Sequence, residues 1–167
     1  MTRRQAGIAL AVAHVALVGS LGLKLLVDRA RFPRAWARTL PYDPSTPFRG
    51  RYVLLALDIP LAGDVARRDD GYTLHGVRLK AVDGRIEGAI DETVIRPRVT
   101  LQEENGVVSG RLTDGVAFFI PEHVPDPSRR ANDEQLWVEA TLPPGGQPRP
   151  IRLGVMKDGR LTPLELR

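Results

Sequence analysis

Residues 77–90 read VRLKAVDGRIEGAI and carry the strongest signal for the fold of this chain. Two short strand-like runs flank Asp83-Gly84, and a two-residue Asp-Gly turn is typical of a tight β-hairpin because both positions need a positive φ. Along the first run the side chains alternate, with apolar Val77, Leu79 and Ala81 on one face and basic Arg78 and Lys80 on the other. The segment therefore predicts two antiparallel strands with one buried face.

The same pattern recurs between residue 40 and residue 167. Asn105-Gly106 and Asp158-Gly159 are two further turn dipeptides between strand-like runs. Because these runs are short and no long helical period separates them, we expect a mainly β fold, an antiparallel β-sandwich or barrel-like domain. The polar residues 123–132 and the proline-rich residues 143–150 are expected to be loops. The predicted strands are Tyr52–Ile59, Tyr72–Val82, Arg85–Ile90, Val94–Glu103, Val107–Leu112, Val116–Ile120, Leu136–Leu142, Ile151–Lys157 and Leu161–Leu166.

The N-terminal part has a different pattern. Residues 6–23 contain no formal charge, and Leu25-Leu26-Val27 continue the apolar run past Lys24. About 20 such residues in a helix cross a bilayer core of about 30 Å. A cleaved signal peptide, with Val18-Gly19-Ser20 before the cut, and a buried core helix are the alternatives. We favour an uncleaved transmembrane anchor over residues 6–27, since the apolar run continues beyond the possible cleavage site.

Charge is distributed unevenly over the 167 residues, which include 24 Lys and Arg against 20 Asp and Glu. Residues 1–38 hold seven basic residues and one acidic residue, so the rest of the chain is slightly acidic. This distribution argues against nucleic-acid binding, which needs a basic stripe on the folded body. It suggests instead a membrane-interface collar of aromatic and basic side chains. The predicted collar comprises Lys24, Arg29, Arg31, Phe32, Arg34, Trp36 and Arg38.

These observations predict four parts: a short tail at 1–5, the anchor helix at 6–27, a basic juxtamembrane linker at 28–39 and a β-rich domain at 40–167. Arg3 and Arg4 favour an N-terminus inside the cell, whereas the larger number of basic residues after the helix opposes that orientation. Charge alone therefore leaves the orientation open.

Catalytic signals are weak. The chain has no cysteine, which excludes disulfides, cysteine-ligated metals and a cysteine nucleophile. A Ser45–Lys80 dyad lacks the expected sequence context, His75 and His123 lie near no nucleophile elbow, and adjacent acidic pairs on a strand point to opposite faces. The sequence predicts no metal site and no cofactor, and it favours a protein without catalytic activity.

Two segments carry a family resemblance. Residues 40–57, LPYDPSTPFRGRYVLLAL, contain Gly50, Tyr52 and Leu55, and residues 114–122, DGVAFFIPE, contain an aromatic-apolar-Pro-Glu element. Together with the order of the later strands, they resemble the GDYXXLXY domain family across residues 40–167. Arg51 and Leu57 stand where that family has Asp and Tyr.

The resemblance implies a membrane-anchored, extracytoplasmic, mostly β domain that accompanies polytopic membrane proteins. We therefore expect a single-pass protein of a bacterial inner membrane, with a periplasmic domain that contacts lipid and a membrane-protein partner as a binding or assembly module. The candidate binding residues are Asp43, Arg49, Gly50, Arg51, Tyr52, Leu55, Phe119, Pro121 and Glu122.

Other interpretations remain open for these residues. Residues 43–52 could simply set the entry geometry of the first strand, and Glu122 could be a turn carboxylate. A secreted β-barrel that binds a small apolar ligand would need a cavity lined by Leu55, Leu79, Val99 and Phe119. An anchored hydrolase resembling signal peptidases is the third alternative.

Overall fold

The computed structural model describes residues 2–41, 52–63, 72–104 and 106–166. The predictions made for Asp43, Ser45, Arg49, Gly50 and Arg51 lie outside these residues. The chain divides into two compact units, Met1–Phe32 and Pro33–Arg167, which we call the helical unit and the β unit.

The helical unit consists of α1, Arg3–Arg31. Its start is fixed by a capping box, in which the Gln5 backbone N–H donates to the Thr2 hydroxyl and the Thr2 backbone N–H donates to the Gln5 side chain. Pro33 follows Phe32, the C-cap residue, and its ring disfavours a helical conformation at the residue before it. At 29 residues, or about 43 Å, α1 is long and apolar enough to span a membrane, and none of its residues is buried.

Two polar side chains within α1 bond to the helix itself. The His14 ring nitrogen Nδ1 lies 2.8 Å from the Leu10 carbonyl oxygen, and the Ser20 hydroxyl donates to the Leu17 carbonyl at 2.8 Å. Each group thus finds a partner without a neighbouring helix, which lowers the cost of placing it in an apolar environment.

In the described part of the chain, ten strands form the β unit. They follow the chain in the order β1 Arg34–Pro41, β2 Tyr52–Pro60, β3 His75–Val82, β4 Arg85–Ile90, β5 Arg98–Glu104, β6 Val107–Leu112, β7 Val116–Phe119, β8 Gln135–Thr141, β9 Arg149–Lys157 and β10 Arg160–Pro163. The sheet order is β10-β9-β8-β1-β4-β3-β5-β6-β2-β7, and β1 also pairs with β2. This extra pairing closes β1, β4, β3, β5, β6 and β2 into a six-stranded barrel. Strands β8 to β10 extend the sheet beyond β1, and β7 pairs with β2.

The barrel interior is filled by side chains from alternate positions of the strands. Among the described residues, the large side chains of the barrel strands with less than 2% of their surface exposed are Leu55, Leu57, Ile59, Val77, Ile86, Val99 and Leu112. Burying one aliphatic side chain of this size contributes about 1.5–3 kcal/mol, so these residues are a main source of stability. The buried hydroxyl of Thr39 donates to the Leu136 carbonyl at 2.9 Å, which joins β1 to β8 through a side chain as well as the backbone.

The predicted mainly β, antiparallel and barrel-like fold is confirmed, with one apolar helix before it. Strands β4 and β6 have the predicted bounds. Asp83 and Gly84, the two central residues of the turn between β3 and β4, have φ values of 47° and 75°. Asp158 and Gly159 likewise have φ values of 50° and 74°, as a two-residue hairpin turn requires. The pairing of β1 with β4 at Trp36 and Arg85 is parallel and was not expected.

The segment 28–39, expected to be a linker, has regular structure throughout most of its length. Residues 28–31 belong to α1, and β1 begins at Arg34, so the β unit starts at Pro33 rather than at residue 40. The physical reason is that Ala35, Ala37 and Thr39 alternate with larger residues and are buried, while β1 pairs with β2 and β8. The predicted boundary placed these residues in the wrong part of the chain.

Candidate functional site

An exposed aromatic pair lies where β2 begins and β7 ends. Tyr52 and Phe119 are directly opposed in the antiparallel register, with ring centroids 6.1 Å apart and ring planes inclined by 57°. Phe119 is 74% exposed, whereas Tyr52 is half-buried. An exposed ring next to a second aromatic side chain is a suitable anchor for a partner surface.

The remaining described residues of the predicted motif do not join this pair. Leu55 is an odd number of positions from Tyr52 and therefore faces the core, where it is 2% exposed. Pro121 and Glu122 are exposed and follow β7 in a turn, closed by a hydrogen bond of 3.2 Å from the Val124 backbone N–H to the Pro121 carbonyl. Glu122 thus occupies the position of a turn carboxylate.

Trp36, predicted to lie in the membrane collar, is built into the outer face of the β unit. The Arg152 guanidinium lies 5.4 Å from the centre of its ring, and Arg152 also bonds to Glu139, which is 9% exposed. The Trp36 ring also covers Gly154, where an added Cβ would lie 2.8 Å from a ring carbon. The ring therefore packs on β9.

Arg38 of the predicted collar likewise has partners inside the β unit. Its guanidinium lies 3.6 Å from an Asp58 carboxylate oxygen and 3.8 Å from one of Glu104. Asp58 is on β2, which pairs with β1, and Glu104 is the last residue of β5, so this charge is balanced within the fold. Of the predicted collar, Lys24, Arg29, Arg31 and Phe32 belong to the helical unit, whereas Arg34 belongs to β1 with Trp36 and Arg38.

A polar cluster surrounds the turn that follows β4. The Arg78 guanidinium donates to the Asp91 carboxylate. The same carboxylate also accepts hydrogen bonds from the Thr93 hydroxyl and from the Thr93 backbone N–H. The hydrogen bonds from Thr93, and then those from Arg78, lower the pKa of Asp91 to about 2. The bond to His75, at 2.7 Å, lowers the pKa of Glu92. These groups bond to one another and thereby fix the turn.

An apolar groove of about 410 Å³ lies beside β3. Its walls are residues 77–81 of β3, Pro33, Val94, Pro97 and residues 142–146, and we refer to it below as the β3 groove. A pocket of this size is within the range that accommodates small organic ligands. Most of its lining is aliphatic or proline, with Arg78 and Lys80 as the cationic residues.

The four side chains predicted to line one ligand cavity do not share a cavity. Leu79 lines the β3 groove, whereas Leu55 lines a different cavity of about 230 Å³ beside β1 and β8. Val99 is fully buried and Phe119 faces outward. The four residues lie on four different strands, β2, β3, β5 and β7, whose side chains face different regions of the β unit.

The arrangement of the described residues does not support the hydrolase alternative. Lys80 is exposed, whereas a lysine base works in a site shielded from water. Ser45 lies outside the part of the chain that the structure describes. Within the described ranges, no group of three His, Asp or Glu side chains is placed to hold a metal ion.

The β3 groove is a candidate site that was not predicted from the sequence. Its walls come from four segments that are far apart in the chain. Among these segments, the sequence shows a clear pattern only in the alternating apolar residues of β3. Comparison of the chain with protein-family models, with curated proteins and with solved structures finds no match. The candidate sites therefore depend on the geometry of this chain alone.

Proposed function

We propose that this protein is a single-pass protein of a bacterial inner membrane whose β unit is a non-enzymatic binding or assembly module for a membrane-protein partner. The observation that carries the proposal is α1, a capped helix of 29 residues in which no residue is buried. An apolar helix that buries nothing against protein loses little by entering lipid, where its backbone hydrogen bonds are already internal. Anchoring places the β unit next to other membrane proteins.

The Tyr52–Phe119 pair is the proposed contact with the partner. It combines a 74% exposed ring with a half-buried neighbour that holds it in place. Aromatic side chains of this kind are enriched in the energetically important centres of protein interfaces. The pair also belongs to the segments that resemble the GDYXXLXY family.

We propose an orientation with the N-terminus inside and the β unit in the periplasm. Arg3 and Arg4 precede the apolar run, and Lys24, Arg29 and Arg31 follow it within the helix. Arg34 and Arg38 are part of the folded β unit, and whole domains translocate largely regardless of their charge. The apparent excess of basic residues after the helix is thereby reduced from five against two to three against two.

Membrane extraction and cysteine labelling test the anchor and its orientation. The natural chain has no cysteine, so Thr2→Cys and Val107→Cys each introduce a single thiol without changing a charge, the second at a position that is 67% exposed. We expect the chain to remain in the membrane during carbonate washing. A membrane-impermeant maleimide should label Val107→Cys in intact spheroplasts and Thr2→Cys only after lysis. Release by carbonate, or a mature N-terminus at Leu21, would exclude the anchor.

Photo-crosslinking tests the partner contact. A photoreactive amino acid at position 119 should crosslink to an integral membrane protein, whereas the same group at position 107, also an exposed apolar position, should not. Tyr52→Ala should weaken the crosslink from position 119. Equal crosslinking from both positions, or only to soluble proteins, would contradict the proposed role of the aromatic pair.

A further inference from the structure

We propose that the β3 groove binds the acyl chain of an anionic membrane phospholipid, with Lys80 at the phosphate. The inference goes beyond partner binding and rests on the proposed anchoring, which would bring the groove to a bilayer. Three features of the β unit support it: where the groove begins in the chain, how its walls are held and how its charge is placed.

The groove begins at the first residue of the β unit. Pro33 lines it and follows Arg31, the last residue of α1, by two positions. Two residues span at most about 7 Å, so Pro33 stays close to the end of the helix whatever angle the two units adopt. If α1 spans a bilayer, part of the groove lies at the depth of the lipid headgroups or just beyond them.

Backbone hydrogen bonds hold the walls in place. The Leu142 N–H donates to the Pro33 carbonyl at 3.0 Å, and the Val77 N–H donates to the Pro97 carbonyl at 3.1 Å. The turn at 143–146 is closed by a bond of 3.1 Å from the Gly146 N–H to the Pro143 carbonyl. Because these bonds and the proline rings fix the backbone, binding would cost little ordering of the groove.

The two cations beside the groove differ in their availability. Arg78 is committed to Asp91, and this pair holds the turn that carries Val94 into the wall. Lys80 is exposed and makes no ion pair with any residue in the described ranges, although Glu87 is its cross-strand neighbour. An apolar trough with one available ammonium group matches an acyl chain joined to a phosphate.

Photoreactive lipids provide the test. The full chain is reconstituted in phosphatidylcholine vesicles that contain phosphatidylglycerol with a photoreactive acyl chain, and adducts are mapped by peptide mass spectrometry. We expect adducts in residues 77–81 or 142–146 in addition to α1. Phosphatidylcholine with the same acyl chain should give about fivefold fewer groove adducts, since one lysine near an anionic surface contributes about 1 kcal/mol.

Two kinds of variant make this test more specific: one removes a charge beside the groove and the other fills the groove. Lys80→Gln should lower the phosphatidylglycerol adducts in the groove about fivefold, whereas Arg160→Gln, which removes an exposed charge elsewhere, should leave them unchanged. Ala81→Trp should block the groove, and the circular dichroism of each variant checks that the β unit is folded. Because Lys80 is exposed, Lys80→Gln tests the proposal even if Ala81→Trp fails to fold.

The outcomes separate this inference from the proposed function. Adducts in α1 without adducts in the groove would overturn lipid binding and leave the anchor intact, whereas the absence of adducts in α1 would overturn the anchor. Equal groove adducts from the two lipids, or an unchanged yield in Lys80→Gln, would overturn the role of Lys80. Capture of a polypeptide but no lipid by a photoreactive residue at position 144 would show that a protein occupies the groove.

Discussion

Substitution of Gly76 by alanine should destabilise the β unit because two backbone oxygens leave no room for a Cβ. That atom would lie 2.3 Å from the Val94 carbonyl oxygen and 2.4 Å from that of Asp91, where ordinary contacts begin at 3.4 Å. The turn at 91–94 must therefore withdraw by about 1 Å, which strains the 2.9 Å hydrogen bond from the Asp91 N–H to the Gly76 carbonyl. Overpacking costs about 1–3 kcal/mol and a lost hydrogen bond about 1 kcal/mol, so we expect a loss of about 2–4 kcal/mol.

Thermal unfolding of the full chain in detergent measures this loss. Trp36 and Trp137 both lie in the β unit, so tryptophan fluorescence reports on that unit alone. At about 4 °C per kcal/mol for a domain of this size, Gly76→Ala should lower the Tm by about 8–16 °C. Gly22→Ala is the matched control, because nothing lies within 4 Å of a Cβ added there. A Tm for Gly76→Ala within about 2 °C of the natural protein would refute the argument.

Three further outcomes can be measured with the full chain in detergent. The pKa of Asp91 is about 2, below its ordinary value of 3.8, so the contribution of this carboxylate to stability is present above pH 3.8 and is lost as the pH falls towards 2. Asp91→Asn should therefore flatten the dependence of Tm on pH in this range. Leu57→Ala, at a fully buried position, should reduce the free energy of unfolding by about 2–5 kcal/mol in urea titrations, more than Leu74→Ala, whose side chain is 41% exposed. Phe119→Ala should change the Tm by only about 2 °C or less, since the ring is 74% exposed; a larger loss would mean that the ring serves the fold rather than a partner.

The strands that the sequence predicted well have their determinants close together in the chain. Between β3 and β4, the Asp83-Gly84 turn sets the register and the alternating apolar residues set the buried face. Both signals lie within 14 residues, so no knowledge of distant segments is needed.

Strand β1 escaped prediction because its buried side chains are small. Ala35, Ala37 and Thr39 alternate as a strand requires, but alanine and threonine carry little hydrophobic signal. The intervening Arg and Trp residues follow an apolar helix, a context typical of a membrane interface. What makes this segment a strand is its pairing with β8 on one edge and with β2 and β4 on the other, which depends on residues up to about 100 positions away.

The two candidate sites likewise differ in how far local sequence patterns indicate their residues. Tyr52 and Phe119 were singled out from local motifs, but their contact depends on the pairing of β2 with β7. The β3 groove could not be predicted, since Pro33, Pro97 and Leu142 are brought next to β3 only by the tertiary fold. Proline and leucine at those positions have ordinary structural roles, and no local pattern marks them as neighbours.

The boundary at Pro33 also changes how the net charge of +4 is divided between the two units. Residues 1–32 carry five basic residues and one acidic residue, which equals the whole net charge of +4, and residues 33–167 carry 19 of each sign. A neutral β unit has no long-range attraction to an anionic membrane, so any lipid selectivity must come from local geometry. At the β3 groove, the ion pair with Asp91 holds Arg78 and leaves Lys80 as the available cation. Removal of that single charge should therefore have a measurable effect on lipid selectivity, which an excess of positive charge on the β unit would have masked.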